Sequence, residues 1–322
     1  MSKKILIIKP TALGDIAHAS LVLPGIKKRQ PDWHISWVVD TDYVSLLKLC
    51  PGIDEVIPFP RKDWRWRWPV GEILQWTTAL RKKEFDITLD LQGLARSAWM
   101  TWAAGAKRRI GLHSAREMAF LTYTEQVNDT AVHAVDRYRQ AVEHLVGKIP
   151  ADELHYLQAP APYPELDGRK YIVLHPYSLW QTKLWPWEYY SRLANALFQE
   201  TFVFVGHGPF FPISAPNIID LRNQTNLMGL LSILGHAESV ISTDSGPAHL
   251  AAALGKPVIS LFGATDPSRT APRVHKGEIL YADIVCRPCL KRICSHSIPM
   301  ACMEHIGVER VVKSILALKE NC

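Results

Sequence analysis

No apolar run among the 322 residues reaches the roughly 18 that a membrane-crossing helix needs. The first eight residues lack the long apolar stretch and small-residue cleavage site of an export signal and pass straight into a strand-like run, so a cytoplasmic protein is expected. No repeat at solenoid spacing is present. No Gly-x-Gly-x-x-Gly follows the first strand-like run, which argues against a dehydrogenase. Cysteine is scarce: Cys50 stands alone, Cys322 is last, and Cys286, Cys289, Cys294 and Cys302 fall within seventeen residues. In a large cytoplasmic chain such clustering favours a local metal site or plain thiols over a disulfide framework. The balance of 48% hydrophobic and 21% charged residues belongs to a soluble globular protein. The formal charge of +6 suits an acidic partner, whether nucleic acid, anionic lipid headgroups or phosphorylated sugars.

The first half alternates β-branched runs with helix-like stretches. Strands are predicted over 4–8, 34–39, 55–59, 85–89 and 109–112, and helices over 16–28, 70–82, 94–103 and 131–146. The stretch 149–168 holds Pro150, Pro160, Pro162 and Pro164 without periodicity and reads as a linker. Strands then return over 171–174, 202–205, 218–221, 239–242 and 258–262, with helices over 187–198, 227–234, 247–254 and 308–318. The length and this double alternation predict two α/β domains, 1–160 and 161–322, each a doubly wound parallel sheet, the last helix being a candidate to pack back on the first domain. Ligands of such sheets bind beyond the carboxyl ends of the strands, so the expected site is a cleft that the two sheets face.

Five segments carry candidate chemistry. Gly14 and Asp15 follow the first strand: the glycine permits a tight turn, and Asp15 is either a helix N-cap or a catalytic carboxylate. Asp244, Ser245 and Gly246, then Pro247 and His249, join a strand to a helix whose bare N–H groups suit a pyrophosphate, with Asp244 able to accept sugar hydroxyls. Ser178, Thr182 and Lys183 follow the first strand of the second domain. Lys183 is either a cation for a leaving diphosphate or an exposed lysine beside an aromatic patch. Arg61, Lys62, Arg65 and Arg67 alternate with tryptophans in what reads as an edge strand or a mobile loop. With Arg116 and His133 they form a basic acceptor surface, though stacking on nucleic-acid bases or contact with a membrane suits them too. Cys286, Cys289, Cys294 and Cys302 are structural zinc candidates, the first pair having knuckle spacing and the second pair wider spacing than usual.

In this order the motifs resemble glycosyltransferase family 9, the ADP-heptose:lipopolysaccharide heptosyltransferases. The likeness runs from Gly14-Asp15 through Lys183 with Trp185-Pro186, Asp244-Ser245-Gly246 with His249, and Gly255-Lys256-Pro257, to the segment from Leu261 to Pro267 and the cysteine-rich tail. Gln92-Gly93-Leu94, Ala115-Arg116-Glu117 and His133-Ala134-Val135 are most similar to the heptosyltransferase I branch. The resemblance implies the GT-B architecture and inverting transfer from ADP-heptose to the Kdo of a lipopolysaccharide inner-core or lipid A precursor. The resemblance further implies that no cofactor or metal is required, that no nucleic acid is a partner, and that contact with the cytoplasmic face of the inner membrane is peripheral. In that picture Asp15 deprotonates the acceptor hydroxyl, and Lys183 with the turn at 244–246 holds the diphosphate. One departure concerns the donor nucleoside: the turn Gly206-His207-Gly208-Pro209 lacks the acidic residue that the family uses on the ribose. The alternatives are a transferase of this architecture with another nucleotide sugar or acceptor, and a nucleotide-sugar epimerase.

Overall fold

A computed structural model describes residues 2–67, 69–150, 152–274 and 276–320, with the backbone alone described for 65–67. The chain divides into two compact units, Met1–Leu157 and Gln158–Cys322.

The first unit runs β1 (Lys4–Ile8), α1 (Leu13–Ser20), α2 (Pro24–Arg29), β2 (His34–Asp40), α3 (Val44–Leu47), β3 (Glu55–Phe59), α4 (Arg61–Arg67), α5 (Val70–Arg81), β4 (Ile87–Asp90), α6 (Ala95–Ala103), β5 (Arg108–Leu112), β6 (Glu125–Val127) and α7 (Ala134–Val146). Its six strands are all parallel, in the order β3-β2-β1-β4-β5-β6. Leu6, Ile8, Val38, Ile57 and Phe59 present one face of this sheet to α4, α5 and α6, while α1, α2 and α7 pack together as a separate group. Strands buried on both faces read as continuous apolar runs, which is why β1 and β2 are plain in the sequence.

The second unit runs β7 (Ile172–His175), α8 (Trp187–Ala196), β8 (Phe202–Phe204), β9 (Ile218–Asp220), α9 (Leu227–His236), β10 (Ser239–Thr243), α10 (Gly246–Ala253), β11 (Val258–Phe262), α11 (Pro267–Thr270), β12 (Gly277–Tyr281), α12 (Ala301–Glu304) and α13 (Val308–Glu320). Its parallel sheet has the order β12-β11-β10-β7-β8-β9. In each sheet the winding reverses beside the unit's first strand, between β1 and β4 and between β7 and β10. Side chains can reach a ligand from both directions at such a point.

Three expectations change. The helix expected over 16–28 is two helices, because Pro24 has no N–H to continue α1 and instead opens α2. The Arg/Trp segment is the helix α4, not a strand or loop. Trp64 selects it by burying its ring edge-on against Phe59 and Trp76, at centroid distances of 5.3 and 6.0 Å, while its indole donates to Glu72 at 3.1 Å. The edge strands β6 and β12 add one strand to each sheet. Each is short, with a single buried residue, and owes its conformation to the neighbouring strand. The closing helix α13 buries Val308, Val311 and Ile315 in the core of its own unit.

Candidate functional site

The reversal point of the second sheet collects the densest set of polar side chains. Lys183 ends a 3₁₀ turn, Gln181–Lys183, that follows β7. Thr182 anchors that turn: it is buried and its hydroxyl donates to the Lys291 carbonyl at 2.6 Å. The Lys183 ammonium lies 2.5 Å from Asp244 Oδ2 and 4.8 Å from the centroid of Trp180. Asp244 follows β10 directly. Its Oδ2 also accepts from the Thr265 hydroxyl at 2.6 Å, and its Oδ1 lies 3.8 Å from His249 Nε2, one turn into α10. Burial alone would raise the Asp244 carboxyl, but His249 and Lys183 outweigh it and hold the group down at about 2. Asp244 is therefore an anion at every physiological pH. Its Oδ2 serves Lys183 and Thr265, while its Oδ1 faces His249.

Ser245 caps α10 in extended conformation but makes no side-chain bond to the helix's N–H groups. Its hydroxyl turns instead to His175 Nδ1, at 3.2 Å, and to Ser242 Oγ, at 3.2 Å. Burial pushes His175 down to about 3, so the imidazole is neutral. Gly246 and the first turn of α10 are left as an anion-type helix terminus next to Lys183. Ser178, whose hydroxyl accepts from the Trp180 N–H at 3.4 Å, lies on the same loop as Lys183. Gly206 has φ of +111°, and a Cβ there would come within 2.8 Å of the His175 and Tyr177 rings, so only glycine closes this turn. Beside it, Asp220 at the end of β9 pairs with Arg222 at 2.7 Å, and Asn223 bonds both the N–H and the carbonyl of Gly208 at 3.0 Å.

The reversal point of the first sheet holds Lys9, Asp15 and Gln92. Ala12, not Asp15, is the N-cap of α1. Asp15 is the third helical residue and reaches back, Oδ2 accepting from the Ala12 N–H at 3.4 Å and lying 3.3 Å from Lys9 Nζ. Gly14, just before it, keeps the turn free of side chain. Lys9 is buried, its carbonyl accepting from the Trp37 indole at 3.2 Å. Asp15 itself is 42% exposed, so one carboxylate face is open while two donors fix its direction. Gln92 Oε1, across from β4, accepts from the Thr11 N–H at 3.3 Å.

The expected acceptor residues are more scattered. Arg61 pairs with Asp40, the last residue of β2, at 3.6 Å and Lys62 with Asp42, just beyond it, at 2.5 Å. Arg116 is exposed on the turn after β5, its N–H bonded to the Gly93 carbonyl at 2.8 Å. The side chains of Arg65 and Arg67 lie outside the described residues. His133 is buried as the N-cap of α7, with Nδ1 accepting from the Val135 N–H at 3.2 Å and its ring 5.6 Å from that of His18. A capping bond and burial at that position are structural features, and they turn its accepting nitrogen toward its own helix.

Cys286, Cys289, Cys294 and Cys302 are free thiols, and among the described residues no group of three or more His, Cys, Asp or Glu could hold a metal ion. The organising residue of this segment is Arg287. Its guanidinium donates to the carbonyls of Gly263 (2.6 Å), Ala282 (3.0 Å) and Thr265 (3.2 Å) and stacks over Tyr281 at 4.5 Å. The cysteine-rich tail thus holds the loop that presents Thr265 to Asp244. Neither Arg287 nor Thr265 carries a local sequence signal for that work, since the partners are backbone atoms far along the chain.

The profile of glycosyltransferase family 9 (heptosyltransferase) matches residues 73–298. The chain is 29% identical over 311 residues to lipopolysaccharide heptosyltransferase 1 of Pseudomonas aeruginosa, covering 91% of this chain and 88% of that protein. It is 29% identical over 289 residues to the lipopolysaccharide core heptosyltransferase OpsX of Haemophilus influenzae, covering 84% and 82%. In fold it is similar to the solved structure of E. coli heptosyltransferase WaaC with ADP, with a TM-score of 0.79, 22% identity, and coverage of 98% and 99%.

Proposed function

The chain belongs to glycosyltransferase family 9, and we propose that it moves a heptose from ADP-heptose to the Kdo of a lipopolysaccharide inner-core or lipid A precursor, with inversion at the anomeric carbon. The observation that carries this reading is the cluster of Lys183, Asp244, Thr265 and His249 at the open N-terminus of α10, a preset anion site at a sheet's reversal point. Leaving ADP gains negative charge as the glycosidic bond breaks. Lys183 and the first turn of α10 stabilise that charge, so in this reading no metal cofactor is needed. Asp15 takes the proton of the acceptor hydroxyl as that oxygen attacks, its open carboxylate face receiving the proton while Lys9 and the Ala12 N–H hold the other oxygen. Ser178, Thr182, Ser245, Gly246 and His249 shape the diphosphate pocket around Lys183. Arg61, Lys62, Arg65, Arg67 and Arg116 supply cations for a phosphorylated, lipid-borne acceptor, and His133, the N-cap of α7, belongs to the same acceptor side. The protein then works in the cytoplasm at the inner face of the membrane. Among the described residues no helix is long and apolar enough to cross one.

Calorimetric binding against ADP-, UDP- and GDP-sugars, followed by turnover with a Kdo-bearing acceptor, tests this reading. ADP-heptose is expected to bind tightest and to be consumed only when acceptor is present. Preference for another nucleotide, or sugar epimerised without acceptor, would overturn it. Asp15→Asn is expected to lower kcat by at least about a hundredfold, the low end of what a general base contributes, with ADP-heptose binding retained.

A further inference from the structure

We propose that Arg292, brought in by the cysteine-rich segment, is a second cation for the diphosphate at Lys183; the proposal rests on the diphosphate reading of that site and names a further residue of it. Backbone bonds fix the segment beside the Lys183 loop. The Leu290 N–H donates to the Ala264 carbonyl at 2.9 Å, and the Lys291 carbonyl accepts from the Thr182 hydroxyl at 2.6 Å. The residue after Lys291 therefore emerges against the turn Gln181–Lys183. Lys291 itself turns back along its own segment, its ammonium donating to Ser295 Oγ at 2.8 Å. Arg292 meets the turn instead: its guanidinium lies over the Trp180 ring, 5.7 Å from the centroid, and the Lys183 ammonium lies over the same ring at 4.8 Å. The two charges are therefore no more than about 11 Å apart. Two linked phosphate groups, with a charge-assisted hydrogen bond of about 2.8 Å at each end, can bridge that gap.

Charge explains why the ligand would need it. Asp244, 2.5 Å from Lys183, cancels that ammonium, so the pair as a whole is neutral. The open N-terminus of α10 adds roughly half a positive charge. A departing diphosphate is multiply charged, and these groups balance only part of it. Arg292 is exposed and, among the described residues, forms no ion pair, so its charge is uncompensated. An arginine with only water to meet would gain by swinging away from a neighbouring ammonium, whereas the indole face holds this one beside Lys183. A guanidinium also offers a planar fork of donors that fits two phosphate oxygens at once, which an ammonium does not. The segment's two arginines thus differ in role. Arg287 is bound to three carbonyls and positions the loop 263–265, while Arg292 presents its guanidinium to the ligand.

Calorimetric binding of inorganic pyrophosphate, ADP and adenosine to the full chain tests the proposal with neither sugar nor acceptor present. Arg292→Gln is expected to weaken pyrophosphate and ADP about tenfold, the low end for a hydrogen bond to a charged group because Arg292 is exposed, and to leave adenosine unchanged. Arg292→Lys, which keeps the charge and loses the fork, is expected to recover part of that loss. Trp180→Leu, which removes the ring that holds Arg292, is expected to weaken the same two ligands about two- to fivefold. Lys170→Gln, exposed ahead of β7 at the far end of that strand from Lys183, is expected to bind as the unaltered chain does. Thermal melting checks that each variant folds. Unaltered pyrophosphate and ADP binding by Arg292→Gln, with both lost in Lys183→Ala, would overturn the assignment of Arg292 and leave the diphosphate site standing. Loss in neither variant would overturn both. An equal loss of adenosine in Arg292→Gln would make the residue structural and overturn the proposal as well.

Discussion

Replacing Asp244 by asparagine is the sharpest test of how the second unit's site is built. The carboxyl is 5% exposed and held at about 2 against 3.8 for an ordinary aspartate. That depression corresponds to roughly 2–3 kcal/mol of folding stability at neutral pH. Because the folded value lies below the unfolded one, the contribution is complete above about pH 5, falls as the unfolded carboxyl protonates near 3.8, and vanishes below about 2. The asparagine keeps the shape and can still accept from Thr265, but it leaves the Lys183 ammonium, 14% exposed, facing a neutral group. Breaking one side of a buried pair costs about 3–5 kcal/mol, so with the carboxylate's own contribution of roughly 2–3 kcal/mol as the floor, a loss of about 2–5 kcal/mol is expected at pH 7. Urea unfolding followed by fluorescence reads it, since Trp180, Trp185 and Trp187 all lie in this unit. About half of the carboxylate's contribution is expected to be gone by pH 3. A deficit below about 0.5 kcal/mol at pH 7, or one that stays constant from pH 6 to pH 3, would refute the assignment of Asp244 as the charge that positions Lys183.

Three further outcomes follow from the same geometry. Gly206→Ala is expected to cost at least about 1–3 kcal/mol, because φ of +111° and a 2.8 Å contact with His175 and Tyr177 both oppose a methyl group; equilibrium unfolding checks it. Arg287→Met is expected to weaken ADP binding and to lower the melting temperature, since three backbone carbonyls lose their donor; Arg287→Lys restores one donor and is expected to recover part of both. Lys183→Ala is expected to weaken binding of ADP far more than binding of adenosine, and an equal effect on the two ligands in calorimetry would remove it from the diphosphate.

The cluster around Asp244 gives Lys183 a fixed partner. Without ligand, its charge is balanced by Asp244 at 2.5 Å. An ammonium with three donors can keep that bond while offering another to an anion. Arg287 extends this arrangement outward: through the loop 263–265 it places Thr265, which in turn orients Asp244. The cysteine-rich tail earns its place here by a single arginine, with the thiols as neighbours.

Much was readable along the chain because it depends on local periodicity. The apolar runs of β1, β2, β10 and β11 signal strands buried on both faces. Proline-rich 149–168 brackets the division after Leu157, and Gly246-Pro247 marks the start of α10. Motif order alone pointed to two doubly wound sheets and to Asp15, Lys183 and Asp244 as the residues of interest. What lay beyond the sequence are the pairings between distant segments. Whether Lys9 is a surface lysine or a buried partner of Asp15 depends on Trp37 and Tyr138 closing over it. Whether 61–67 is strand or helix depends on Phe59 and Trp76 receiving Trp64. Whether Asp244 faces a ligand or its own neighbours depends on Thr265 and His249 arriving from other elements. Local preferences are worth a few tenths to about 1 kcal/mol per residue, whereas a buried side chain or a buried charge commits several, so folding decided each of these positions against or beyond its local pattern.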